Sequence, residues 1–123
     1  MRRENLFFIL FFFIILISRS IAKVSTTTEL VIGNFVVHHF YTGSILLIFF
    51  FLFIYTLPRK KYDLFKTLSF SIIFAMIIDE ITFVLIAGGD TYSQYWSIVS
   101  LIGTFVLMIP IFLLRKEIIK LIL

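Results

Sequence analysis

The sequence predicts an all-α integral membrane bundle of three to four transmembrane helices. Three observations predict it. Hydrophobic residues make up 61% of the 123-residue chain, including 17 phenylalanines, and mean hydropathy is +1.12. Soluble domains run at roughly 45–50% apolar, so a chain this short has no aqueous way to hide so much Phe, Ile and Leu. The apolar residues form continuous runs rather than the alternation a β-barrel needs. Finally, the basic residues bracket those runs, as the positive-inside rule expects.

The same distribution excludes nucleic acid as the partner implied by the net charge of +4. Cysteine is absent, which removes disulfides, thiolate nucleophiles and Cys-based zinc or iron–sulfur sites. One membrane domain, residues 1–123, accounts for the whole sequence, with no internal repeat or low-complexity linker.

Each element follows in order. Residues 1–22 begin with Arg2 and Arg3 and continue into a short apolar stretch. They read either as a first transmembrane helix or as a signal peptide with Ser20 and Ala22 at its cleavage site. Arg19 counts against cleavage and, in a retained helix, is expected to snorkel to the interface. Residues 25–29, Ser-Thr-Thr-Thr-Glu, read as a helix-start region. Residues 30–57 are expected to be a transmembrane helix about 40 Å long at 1.5 Å per residue, with its polar first turns at the interface.

Pro58, Arg59, Lys60 and Lys61 form a turn, the lysines acting as a topology signal rather than a lipid site. Residues 64–87 give the next transmembrane helix, ended by Gly88-Gly89. Residues 96–114 give the last, with a kink expected at Pro110. The Phe49-Phe50-Phe51 run is expected to face lipid. Tyr92, Tyr95 and Trp96 read as an interfacial aromatic belt.

Placing the N-terminus, the 58–66 turn and the tail in the cytoplasm puts nine of the 11 basic residues there, leaving only Arg19 and Lys23 opposite. The expected location is the cell membrane, with a cytoplasmic C-terminus.

Two pairs of ionisable residues interrupt the hydrocarbon: His38-His39 and Asp79-Glu80. Such groups are costly within a membrane and mark candidate functional sites. Folding residues 30–57 back on 64–87 about the Pro58 turn brings the two pairs within roughly one turn, about 5 Å, of the same depth. That depth lies toward the extracytoplasmic side. Tyr41, Thr42, Thr82, Asp90 and Tyr95 are candidate supporting residues. Ser97, Ser100, Gly103 and Thr104 form a small face on the last helix that suits close packing.

Several functions fit these residues. The first is an accessory or structural membrane subunit whose His/carboxylate cluster locks helices in register. A second is a metal-binding protein or metal-dependent membrane enzyme, with His38, His39, Asp79 and Glu80 holding zinc or iron. Adjacent helical residues diverge by about 100°, so each pair offers one side chain comfortably to a shared centre. A third is a proton or solute transport component. General acid/base catalysis by a His-acid pair completes the set. Besides the lipid bilayer, the expected partners are further copies of the chain or a larger membrane complex.

The order His38-His39-Phe40-Tyr41-Thr42-Gly43, then Asp79-Glu80, then Tyr95-Trp96, resembles a group of small prokaryotic multi-pass membrane proteins of unknown function. These carry a His-His-x-x-x-Gly helix followed by an Asp-Glu helix. The resemblance spans roughly residues 32–97 and implies that the two pairs act as one feature. It implies no activity.

Overall fold

A backbone surrounded by lipid must hydrogen-bond to itself, and the four apolar runs of this chain do so as helices. The computed structural model describes residues 2–24, 30–32, 35–37, 39–58, 61–85 and 96–123. The helices are α1 (Arg3–Val24), α2 (His39–Ile54), α3 (Asp63–Leu85) and α4 (Ile98–Lys120). Three of them, α1, α3 and α4, are long and apolar enough to cross a membrane. At 1.5 Å per residue these three are about 33–35 Å long, against about 24 Å for the 16-residue α2.

The shortness of α2 corrects the expectation of one helix over 30–57. Its first third is a β-hairpin: β1 (Leu30–Ile32) pairs antiparallel with β2 (Phe35–Val37), with Leu30 opposite Val37 and Ile32 opposite Phe35. The two segments are rich in β-branched residues, which favour strands. That local preference outweighs the apolar run.

Smaller shifts affect the other ends. α4 starts at Ile98, where the Ser97 side chain accepts from the Ser100 N–H at 3.2 Å. It continues past Pro110 and the basic Arg115-Lys116 to Lys120. Residues 25–29, His38, Gly88, Gly89, Asp90, Tyr92 and Tyr95 lie outside the described residues.

α3 is the central helix and packs against each of the other three. Its pairing with α1 is parallel and in register. Phe7 meets Phe70 and Phe74, Phe11 meets Phe74, and Arg19 meets Asp79. Phe7, Phe11 and Ile15 on α1 and Thr67, Ser71 and Ala75 on α3 form two ladders at i, i+4, i+8. All six are buried. Large buried side chains on α1 and small buried ones on α3 at the same spacing suit the ridge-into-groove packing of two helices.

The small polar residues of that groove satisfy themselves. Thr67 Oγ1 donates to the Asp63 carbonyl at 2.8 Å and Ser71 Oγ to the Thr67 carbonyl at 2.7 Å.

Phe70 ties the bundle together on the neighbouring face. Its ring centroid lies 5.6 Å from Phe7 of α1, 5.7 Å from Phe50 of α2 and 5.3 Å from Phe74, on which it stacks. The Phe49-Phe50-Phe51 run is therefore not uniformly lipid-facing. Phe49 is 63% exposed, but Phe50 is buried, because successive helical residues point about 100° apart.

Candidate functional site: a buried ionic centre between the helices

Asp79 and Glu80 are adjacent on α3, so their side chains diverge and serve different neighbours. Asp79 turns toward α1 and α4. Its Oδ1 accepts from Arg19 Nε at 2.6 Å, and both residues are almost fully buried, at 2% and 5% exposure. The guanidinium does more than neutralise the carboxylate. Arg19 Nη2 donates to the Asp79 carbonyl at 2.9 Å, to Thr104 Oγ1 at 2.9 Å and, at a longer 3.3 Å, to Ser100 Oγ. One planar cation thus joins three helices through a fork of fixed donors.

The α3–α4 side of the centre is closed by hydroxyls. Thr82 Oγ1 donates to the Ser100 carbonyl at 3.2 Å and lies 3.4 Å from Thr104 Oγ1. Thr104 Oγ1 also donates to the Ser100 carbonyl, at 2.9 Å. Close approach of α4 is possible because residue 103 is glycine. A Cβ there would stand 2.8 Å from Thr82 Cβ and closer still to its Cγ2.

Glu80 turns toward α2. Its Oε1 lies 3.1 Å from His39 Nδ1, and its Oε2 accepts the Phe40 backbone N–H at 2.8 Å. The N–H groups of a helix's first turn have no partner within the helix and carry partial positive charge. Glu80 therefore caps α2 from a neighbouring helix. Gly43, one turn beyond His39 on the same face, admits this approach: a Cβ there would meet Ile77 Cγ1 at 2.9 Å and the Ile73 carbonyl at 3.2 Å.

The two carboxylates differ in setting. Asp79 and Arg19 are enclosed, whereas the His39 side chain is 59% exposed and Glu80 lies between, with a side chain 8% exposed. Asp79 stands 16 residues, about 24 Å, along α3 from its start at Asp63. In a hydrocarbon core about 30 Å thick, the centre sits well toward the end opposite the turn that joins α2 to α3.

Among the expected site residues, His39, Glu80, Asp79 and Thr82 come together around α3. Tyr41 is half exposed and lies edge-on to Phe40, with ring centroids 5.4 Å apart. Thr42 is partly buried on α2. His38, Asp90 and Tyr95 lie outside the described residues.

The residue that sequence reasoning misplaced is Arg19. It does not snorkel but turns inward. The signal for it was present in the spacing Phe7, Phe11, Ile15, Arg19, an i+4 ladder that puts the arginine on the same face as three large apolar residues.

As a set of donors, the centre does not resemble a metal cage. Among the described residues no three His, Asp or Glu side chains gather, and the Asp79 carboxylate is directed at a fixed cation. Further along α3, the hydroxyls of Thr67 and Ser71 are turned onto their own helix rather than toward the centre.

The class these features define is a membrane-embedded helical protein with an ionic centre buried between its helices. No family model, curated protein or solved structure matches the chain.

Proposed function

We infer that this protein is a small multi-pass accessory or structural membrane subunit, and that its ionic centre acts as an internal clamp rather than as a reaction site. One observation carries the reading: the polar atoms around Asp79 and Glu80 are turned on one another. Arg19 grips Asp79, Ser100 and Thr104, while Glu80 is engaged by His39 and the start of α2. A substrate or ion would have to displace these bonds in a low-dielectric setting, where an unpaired charge is costly.

The same reading assigns α1 a permanent place, since it supplies the counter-charge to Asp79. With the basic 58–66 turn and the tail in the cytoplasm, the clamp lies toward the extracytoplasmic face of the cell membrane. A subunit of this size would act with further copies of itself or within a larger membrane complex. His39, Gly43 and Glu80 share the α2–α3 interface, which supports treating the His and acidic pairs as one feature.

Elemental analysis of the full-length protein purified in detergent tests the reading. The clamp predicts no stoichiometric zinc or iron in a folded preparation. Stoichiometric metal that disappears in His39→Ala and in Glu80→Ala would replace the clamp with a metal centre.

A further inference from the structure

α2 differs from the other helices in length and in surroundings. It has 16 residues where they have 22 or 23. Among the described residues its only extensive contact with another helix is with α3. The opposite face is open. Tyr41, Ile45, Ile48 and Leu52 follow one another at intervals of four, three and four residues, which places them on one stripe of the helix. All four are at least half exposed, and Tyr55, the residue after the helix, is 85% exposed.

The stripe carries its own boundary marks. Tyrosine rings are favoured at both membrane–water interfaces, at the level of the headgroups. Tyr41 and Tyr55 stand fourteen residues apart in the sequence, about 21 Å along a helix. The start of α2 is polar as well, with the His39 side chain 59% exposed. Before it come β1 and β2, which form a two-stranded sheet among the described residues. The outer edges of such a sheet present unpaired backbone N–H and C=O groups, and open edges are not tolerated in hydrocarbon. The apolar layer beside α2 therefore begins at the helix and not at residue 30. On this flank it is about 21–24 Å deep, whereas α1, α3 and α4 offer about 33–35 Å and an ordinary hydrocarbon core is about 30 Å thick.

A span shorter than the core is accommodated by a thinner bilayer or by association with another helix. The residues of the stripe select the first. Close helix association in lipid relies on small residues, and the stripe has none. Gly43, the glycine of α2, is turned to α3, where a Cβ would meet Ile77 and the Ile73 carbonyl. The neighbouring Ser44 hydroxyl donates to the Phe40 carbonyl of its own helix. Branched aliphatic side chains between two tyrosines match acyl chains with a headgroup at either end.

We propose that the open face of α2 is a binding surface for phospholipids with short acyl chains, which the protein gathers into a locally thin patch of bilayer on this one flank. The inference stands whether or not the ionic centre is a clamp.

The chain has no cysteine, so a single introduced thiol carrying a fluorescent bimane reports one flank at a time. Ile48→Cys labels the middle of α2 and Ile109→Cys the middle of α4. The two positions are 63% and 60% exposed, so neither label enters the packed interior. The full-length protein is reconstituted in brominated dioleoylphosphatidylcholine, which quenches the label on contact. Half of that lipid is then replaced by dimyristoleoylphosphatidylcholine or by unbrominated dioleoylphosphatidylcholine. The difference in quenching between the two mixtures reads which chain length each flank prefers.

The label on α2 should show the shorter lipid favoured roughly three-fold, as expected for several Å of mismatch. The label on α4 should show no preference for it. Equal preferences at the two positions would overturn the proposal. So would a label at residue 48 that no brominated lipid quenches, which would place a second copy of the chain on this face.

Discussion

Arg19 and Asp79 lie sixty residues apart in the chain and 2.6 Å apart in the bundle, with both side chains buried. The contact explains how an aspartate is tolerated in an apolar helix. An acidic or basic group at a helix centre costs roughly 2.5–3.5 kcal/mol on insertion, and pairing lets each residue offset the other. It also makes α1 and α3 interdependent, because either helix alone carries an uncompensated charge.

The first consequence concerns residues 1–22. A leader peptide leaves the mature protein, whereas α1 contributes Phe7, Phe11, Ile15 and Arg19 to the buried interior. Intact mass of the protein extracted from membranes should therefore include α1. A mature mass lacking residues 1–22 would mean that Asp79 finds another partner.

The outer carboxylate should be asymmetric in its effects. Glu80→Ala removes the acceptor of the Phe40 N–H as well as the partner of His39, and a fully buried donor left without a partner costs about 1–3 kcal/mol, an upper bound for this partly buried one. His39→Ala removes only a half-exposed imidazole, worth roughly 1 kcal/mol or less. Unfolding in mixed detergent should thus rank Glu80→Ala well below His39→Ala, with Glu80→Gln between them because its amide oxygen still accepts. Equal losses in the two alanine variants would remove the capping role.

Gly103 sets the distance between α3 and α4. Gly103→Ala forces its new Cβ into Thr82 and should destabilise by about 1–3 kcal/mol, the usual cost of overpacking. The obstruction is mainly the Thr82 methyl. Thr82→Ser in the same chain keeps the hydroxyl that donates to the Ser100 carbonyl and should recover part of the loss. A harmless Gly103→Ala, or no recovery with Thr82→Ser, would show that the two helices are looser than described.

Much of this arrangement was legible in the sequence. Hydropathy gave the helical membrane body, and folding 30–57 back on 64–87 placed His39 near Glu80 within about one turn. The divergence of adjacent helical residues foretold that Asp79 and Glu80 would face different neighbours.

Three features were missed, each for a physical reason. The β-hairpin over 30–37 was hidden because short apolar strands and buried helix segments share the same hydropathy. Phe50 was misplaced because in lipid both faces of a helix are apolar, so polarity does not mark the inner face. Arg19 was read by its nearness to the helix end rather than by its face. In α1 the guide is size: a ladder of large residues, Phe7, Phe11 and Ile15, ends in Arg19, as the small ladder Thr67, Ser71, Ala75 on α3 ends in Asp79.

The most direct test of the clamp is a double-mutant cycle on Arg19 and Asp79, measured as unfolding free energy in mixed detergent. Arg19→Met and Asp79→Leu should each destabilise by roughly 3–5 kcal/mol, because each leaves a buried charge unpaired. The double variant should lose much less than the sum and approach the unaltered protein, since apolar residues of similar volume replace a buried ion pair at little net cost. Strictly additive losses would contradict the account, showing that the two side chains act independently and that the bundle is held by something else.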